Sequence, residues 1–187
     1  MLPFGIGTND VPRFDGMHDA ALQICAATLT ASRAVVRGES VHAVNIAGGL
    51  HHAMPDHASG FCVYNDIALA IRDLLDKGVE RIAYIDVDAH HGDGVEKFFW
   101  DEPRVMTISI HQSGRSLFPG TGFAEETGGT NAAGTAVNLA LPPHTTDGQW
   151  LRAFTAVVPE LLADFRPSII FSQHGCDSHR LDPLTSM

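Results

Sequence analysis

The sequence has few cysteines and no long apolar run, and both shortages narrow the class of protein. Its three cysteines, Cys25, Cys62 and Cys176, are odd in number and lack Cys-x-x-Cys spacing. They argue against a disulfide framework and for a reducing cytoplasm, with each cysteine a small buried hydrophobe. No apolar stretch reaches the ~18 residues that a membrane span needs, and the N-terminus lacks the pattern of a signal peptide. We therefore expect a cytoplasmic protein that does not bind membranes.

Basic residues are also scarce. Lysine and arginine number 12 against 22 aspartates and glutamates, which gives a net charge of −10. A field of this sign repels nucleic acid, so direct nucleic-acid binding is not expected, and it favours a cationic or neutral substrate. The 187 residues, 44% of them hydrophobic, suffice for one globular domain over 1–187 and leave the oligomeric state open.

Helical and strand patterns alternate along the chain. Apolar spacing predicts a helix over Met17–Val36, and Asn65 is a plausible N-cap for a helix that ends before Gly78. Strands are expected at 41–46, 81–86, 105–110, 136–141 and 168–172, with further helices at 94–99 and 147–163. This alternation predicts an α/β fold with a mostly parallel sheet and helices on both faces.

The most informative stretch is Asp86-Val87-Asp88-Ala89-His90-His91-Gly92-Asp93, directly after the apolar run 82–85. On a strand, residues two apart point to the same side, so Asp86, Asp88 and His90 can converge. Their oxygen and nitrogen donors suit a divalent metal such as zinc. A lone Asp-x-Asp more often caps a helix, so the neighbouring motifs decide between a metal site and a helix cap.

Two adjacent histidines form a second motif, in Gly48-Gly49-Leu50-His51-His52-Ala53. Buried imidazoles need hydrogen-bond partners, so this pair is a candidate for proton transfer. Asp86 and Asp93 offer one carboxylate for each histidine, which fixes the imidazole tautomer and raises its basicity. The alternative is that both histidines are exposed loop residues.

A third motif, Ser172-Gln173-His174-Gly175-Cys176-Asp177, again follows an apolar run. Acids just beyond strand ends gather at one edge of a parallel sheet, where open α/β sheets bind ligands. Asp177 can therefore join Asp88 and His90. Three protein ligands with an open fourth position are typical of a catalytic zinc.

Together these motifs resemble the histone deacetylase superfamily of zinc amidohydrolases, and most of all the bacterial acetoin utilization proteins. The resemblance covers nearly the whole chain. It is carried by the three motifs above and by these further segments: Gly5–Asp10, Met17-His18, Ala58–Cys62 with Asn65-Asp66, and Leu117–Gly122.

The resemblance implies an arginase-like three-layer α/β/α fold and a chemistry. Asp88, His90 and Asp177 would hold Zn²⁺ or another divalent ion. His52, paired with Asp93, would be the general base and then the acid for the departing amine. His51, paired with Asp86, would assist electrostatically.

The resemblance also implies a substrate tunnel. Phe61 and Phe118 would form its walls, and Asp10 at its rim would bind substrate backbone. Gly60 and Gly175 allow close approach to the substrate and the metal. Taken alone, each phenylalanine could equally be a core residue and Asp10 a turn former.

A structural potassium ion is a further implication of the resemblance. It would be surrounded by Asp86, Asp88, His90, Ser109 and Ile110. Backbone carbonyls of many sequences can provide such a site, so this set is less specific than the zinc ligands.

The chain departs from the family pattern at its ends. Gly5–Asp10 reads like the middle of the family's domain, and few residues follow the last predicted strand. We therefore expect a partial catalytic domain, truncated at both ends, with an exposed strand edge and weak activity. The family's oxyanion-binding tyrosine matches neither Tyr64 nor Tyr84 by context.

Two other functions fit parts of the pattern. One is a two-metal hydrolase of the arginase type, which leaves the paired histidines unexplained. The other is a non-catalytic acyl-lysine binding module, favoured by the unmatched tyrosine. For the deacetylase, the sequence leaves the substrate open between acetylated protein and a small acetylated amine.

Overall fold

The computed structural model describes residues 3–187, which form two compact units. The first ends at Val79 and the second is Glu80–Met187. Each unit is described by itself.

The first unit is built around two helices, α1 (Met17–Val36) and α2 (Asp66–Asp76), preceded by a short 3₁₀ turn. Both helices lie where the sequence predicts them. Asn65 caps α2 as expected, because its side chain accepts a hydrogen bond from the amide of Ala68 at 2.9 Å. The helices are joined on their surface by Arg33 and Asp73, whose side chains pair at 2.6 Å.

The predicted buried strand at 41–46 is wrong. The segment is irregular, and its apolar side chains are exposed: Val41 by 82%, Val44 by 83% and Ile46 by 97%. A strand needs a neighbour to satisfy its backbone N–H and C=O groups. Within residues 3–187, no strand pairs with this segment. The apolar run alone therefore could not define the structure.

The second unit is a parallel sheet with helices, as predicted. Its four strands are ordered β3-β2-β1-β4, and every pairing is parallel. The strand and helix ends lie within two residues of the expected positions. The elements are β1 (Ile82–Asp86), α3 (Asp93–Phe99), β2 (Val105–Gln112), β3 (Ala136–Leu141), α4 (Asp147–Phe165) and β4 (Ile169–Gln173).

Helices cover both faces of this sheet. On one face, Ile108 and Ile110 of β2 pack against Val158 of α4 in a buried apolar cluster. On the other face, the Asn138 amide of β3 donates to Glu96 of α3 at 2.7 Å. Side chains alternate along a strand, so these contacts belong to opposite faces. The second unit therefore has the three layers expected of the fold.

The order of the strands reverses beside β1. The chain passes from β1 to β2 and β3 on one side, then returns to β4 on the other. This reversal is a topological switch point, and open α/β sheets bind ligands there, beyond the carboxyl ends of the strands. Asp86 and Gln173, the last residues of β1 and β4, pair across it. Both loops that carry the predicted metal ligands begin here.

The composition suggested that all three cysteines are buried, but only two of them are. Cys25 and Cys62 are buried, whereas Cys176 is exposed in the turn after β4. Burial, with the nearby Asp66 charge, raises the pKa of the Cys25 thiol to about 11, so this thiol is a poor nucleophile. Among residues 3–187, no helix combines the length and hydropathy of a bilayer-spanning segment.

Candidate functional site

Asp88, His90 and Asp177 come together at the carboxyl edge of the sheet. The Nδ1 atom of His90 lies 2.6 Å from Oδ2 of Asp177 and 3.1 Å from Oδ1 of Asp88. One donor atom from each residue lies within 4.8 Å of the other two. The first two residues follow β1 and the third follows β4, so the switch point assembles the cluster.

Backbone amides hold the two carboxylates in place. The amide of Ala89 donates to Oδ1 of Asp177 at 2.9 Å, and the amide of His90 donates to Oδ1 of Asp88 at 2.8 Å. Gly175 leaves room for this packing, since a Cβ there would lie 1.8 Å from Oδ2 of Asp88. The glycine therefore allows the backbone to approach a predicted ligand closely, and its role toward the substrate and the metal stays a prediction.

The electrostatics of the cluster favour a cation. Burial alone would lower the pKa of His90, but its hydrogen bonds to Asp177 and Asp88 outweigh burial and raise the pKa to about 9. The two carboxylates thus stabilise the positive charge of the protonated imidazole. The side chains are only 11 to 21% exposed. One nitrogen and two oxygen donors in such a site fit a divalent metal such as zinc.

Asp86 lies deeper in the sheet than this cluster and is completely buried. The hydroxyl of Tyr84 donates to its Oδ2 at 2.5 Å, and the amide of Asp88 donates to its Oδ1 at 3.1 Å. Ser109 pairs with Asp86 in strand register, and Ile110 is also fully buried. These residues lie around the end of β1, but the potassium ion that would use them stays a prediction.

His51 and His52 are buried, 3% and 5% exposed, rather than exposed loop residues. Their ring centroids are 4.0 Å apart, with the planes tilted by 48°. Gly60 packs on His52, because a Cβ on this glycine would lie 2.4 Å from the imidazole Cδ2. A buried imidazole pair in a tight loop is suited to proton transfer. Its pairing with Asp86 and Asp93 stays a prediction.

The histidine loop is held by Asp66, whose structural role the sequence did not indicate. Asp66, at the start of α2, is almost completely buried. Its carboxylate accepts hydrogen bonds from the amide of Leu50 at 2.8 Å, the amide of Gly49 at 3.2 Å and the hydroxyl of Thr28 at 2.5 Å. In the sequence, an acid at the first position of a helix is ordinarily explained by its favourable interaction with the helix dipole. Its loop contacts appear only in three dimensions.

Replacing Asp66 by alanine should lower the free energy of unfolding by about 1–3 kcal/mol, because it leaves buried donors without an acceptor. Urea denaturation measures the loss. Asp76→Ala is the matched control, since Asp76 lies on the same helix and makes only an exposed pair with Arg72. Equal effects of the two changes would contradict the assigned role of Asp66.

Asp10, Gly60 and Phe61 lie together in the first unit. The carboxylate of Asp10 accepts a hydrogen bond from the amide of Gly60 at 2.8 Å. Phe61 follows with a positive φ of 64° and a ring that is 68% exposed. An exposed phenylalanine in a strained conformation is unlike a core residue. Asp10 supports the loop that presents this ring, and the substrate-binding role of all three stays a prediction.

Phe118 lies beside the metal cluster. Its ring is edge-on to His90, with the centroids 6.3 Å apart, and it remains 44% exposed. This places the ring next to a predicted metal ligand. Substrate binding by this ring also stays a prediction.

A second polar cluster near the sheet edge was not foreseen. His91 contacts Glu96 at 3.2 Å and Thr121 at 2.9 Å, and its ring lies beside His111. Glu126 shares this cluster and accepts from the amide of Gly122 at 2.6 Å. The cluster ties the loop after Phe118 to the sheet. The only signal for this cluster in the sequence was His91, which directly follows the predicted ligand His90.

His111 is held neutral inside this cluster. Burial, together with the nearby His91, lowers its pKa to about 4. Its Nε2–H donates to the carbonyl of Gly122 at 2.9 Å, and the hydroxyl of Ser109 donates to its Nδ1 at 2.8 Å. The two bonds fix one tautomer. His111 therefore serves as a rigid link between β2 and the loop.

The comparisons with known proteins agree with this geometry. The histone deacetylase domain family matches residues 3–187. The acetoin utilization protein AcuC of Bacillus subtilis is 48% identical over 184 residues, and that of Staphylococcus xylosus is 39% identical. A crystal structure of an HDAC homolog from Aquifex aeolicus superposes with a TM-score of 0.93 at 34% identity.

These matches cover nearly all of this chain but only part of each relative. The alignments span 98% of the chain and 48% of each of the two AcuC proteins. The Aquifex aeolicus structure covers 99% of the chain, which in turn covers 50% of that structure. The chain thus spans about half the length of the relatives it matches. Its match from residue 3 to residue 187 shows that the chain belongs to the histone deacetylase domain family.

Proposed function

We propose that this chain acts in a zinc-dependent deacetylase that hydrolyses acetyl-lysine or a related acetylated amine. The observation that carries the proposal is the convergence of Asp88, His90 and Asp177 at the switch point of the sheet. Family membership supports the reaction class, since the match spans the residues of the candidate site.

Asp88, His90 and Asp177 would hold the metal. Three protein ligands leave a position open for substrate or water, as in catalytic rather than structural zinc sites. When bound, zinc would polarise the amide carbonyl and lower the pKa of water toward neutrality.

The buried histidine pair would move the protons. In this proposal an imidazole nitrogen of His52 accepts a proton from the attacking water and later gives it to the departing amine. His51 stabilises the developing charge. Asp93 and Asp86 are both buried carboxylates, suited to orienting these imidazoles and raising their basicity.

The substrate would be an acetylated amine on a slender stem. Phe118 beside His90 and the exposed ring of Phe61 are suited to contacts with methylene groups. Asp10 would act at the rim. An acetylated protein lysine and a small acetylated amine both satisfy these features.

The arginase-like alternative requires two metal ions that share a site. Within residues 3–187, a second group of donors exists at His91, Glu96 and Glu126. It has no residue in common with the first group. It therefore offers no shared ligand that could bridge two metal ions, which lie ~3.5–4 Å apart in paired catalytic sites. A single-metal site is therefore the better supported reading.

The binding-module alternative rests on the tyrosines. The hydroxyl of Tyr84 donates a hydrogen bond to Asp86, and the hydroxyl of Tyr64 contacts His18 at 2.9 Å. Neither hydroxyl is proposed to donate a hydrogen bond to the oxyanion of the reaction. Loss of such a donor typically costs ~10²–10³ in rate.

Metal analysis and an activity assay on the purified protein test the proposal. We expect one zinc per chain, weak hydrolysis of an acetyl-lysine peptide, and loss of that hydrolysis on chelation with recovery on adding zinc. Two manganese ions per chain would support the arginase-like alternative. Binding of a hydroxamate without any hydrolysis would support the binding module.

A further inference from the structure

Gln173 links the two loops that carry the candidate metal ligands. It is the last residue of β4 and is buried. Its side-chain amide donates from Nε2 to Oδ2 of Asp88 at 3.0 Å and accepts at Oε1 from the amide of Gly175 at 2.7 Å. The same residue's backbone carbonyl accepts from the amide of Val87 at 3.1 Å.

These bonds hold both sides of the switch point at once. The Asp88 carboxylate is fixed at Oδ2 by Gln173 and at Oδ1 by the amide of His90. The bond to Gly175 fixes the turn that leads to Asp177. Two of the three predicted ligands are therefore oriented by one side chain.

Only a primary amide of this length fulfils both functions. It offers a donor toward the carboxylate and an acceptor toward the backbone N–H. A methionine would fill the same space but leave the Gly175 amide and the Asp88 oxygen without these partners. An asparagine keeps the amide but is one methylene too short to reach both.

We propose that Gln173 is a positioning residue for the metal site: it orients the Asp88 carboxylate and the Asp177 loop for metal binding. The inference rests on the proposed zinc site. It adds to that site a residue that is not among the three predicted ligands, because a glutamine amide is not itself an expected zinc ligand.

The test is the zinc affinity of the purified protein, measured by competition with a chromophoric chelator at fixed pH. We expect Gln173→Met to weaken zinc binding by about 10–100-fold, the usual effect of removing a hydrogen-bond partner of a metal ligand. Gln173→Asn should weaken it by a smaller factor. If the methionine variant does not fold, the asparagine variant decides.

Gln112→Met is the matched control. Gln112 is likewise buried at the end of its strand. Its amide donates to Ser116 at 3.1 Å and accepts from the amide of Ser186 at 2.9 Å, so its side chain contacts no metal ligand. Urea denaturation of the metal-free proteins should give similar losses for both methionine variants, while only the Gln173 variants lose zinc affinity.

The outcomes separate this inference from the proposed function. If the unchanged protein binds no zinc, the zinc proposal fails and the inference fails with it. If it binds zinc, and Gln173→Met and Gln112→Met bind it equally, the positioning role is wrong while the zinc site stands. A selective loss in the Gln173 variants supports the positioning role.

Discussion

Replacing His52 by alanine is expected to reduce turnover of an acetyl-lysine peptide by about 10²–10⁴-fold, the usual contribution of a general base. The zinc content should not change, because His52 is not among the three predicted metal ligands. Steady-state kinetics and metal analysis on the same preparation measure both quantities.

His57→Ala provides the matched control for this variant. His57 lies five residues further along the chain in the same unit. Its exposed ring pairs with Asp56 at 2.7 Å. Alanine there should leave turnover unchanged. Equal losses in the two variants would show that general disturbance of the loop, rather than a missing base, explains the effect.

Replacing His90 by alanine should remove the metal itself. His90 lies between Asp88 and Asp177, within 3.1 Å of both carboxylates. Without it, the site retains two donors of like charge. We expect zinc affinity to fall well beyond the ~10–100-fold typical of changes around a ligand. Metal analysis should then find almost no zinc, and hydrolysis should be absent.

His174→Ala is the control for the metal-site variant. His174 lies in the turn before Asp177, is exposed, and contacts Ser172 at 2.8 Å. Its loss should leave zinc bound. Zinc retained by the His90 variant, or equal zinc loss in His52→Ala, would contradict the assigned roles.

Patterns of short range predicted most of the fold. The helix at Met17–Val36 and all four strands of the sheet follow from local periodicity, and each of these strands has at least one paired neighbour. The segment 41–46 has a similar apolar pattern but no partner strand. A strand is defined by its neighbour as much as by its own residues.

The residues of the candidate site also fall into those that the sequence predicted and those that it did not. Asp88, His90 and Asp177 could be proposed from the sequence because acids and histidines at strand ends carry a recognisable chemistry. Asp66 and Gln173 could not, since their role lies in contacts with residues 16 to 85 positions away. Ordinary residue types in buried hydrogen bonds leave no mark on a local pattern.

The long sequence separation of the predicted metal ligands has a consequence for biosynthesis. His90 and Asp177 are separated by 87 residues. A growing polypeptide that has already emerged from the ribosome through His90 has only two of the three donors. In the proposed zinc site, binding by all three ligands would wait until β4 has been synthesised and docked beside β1, so zinc would not be a template for the folding steps before it. Metal loading would instead be a signal that β4 has paired with β1.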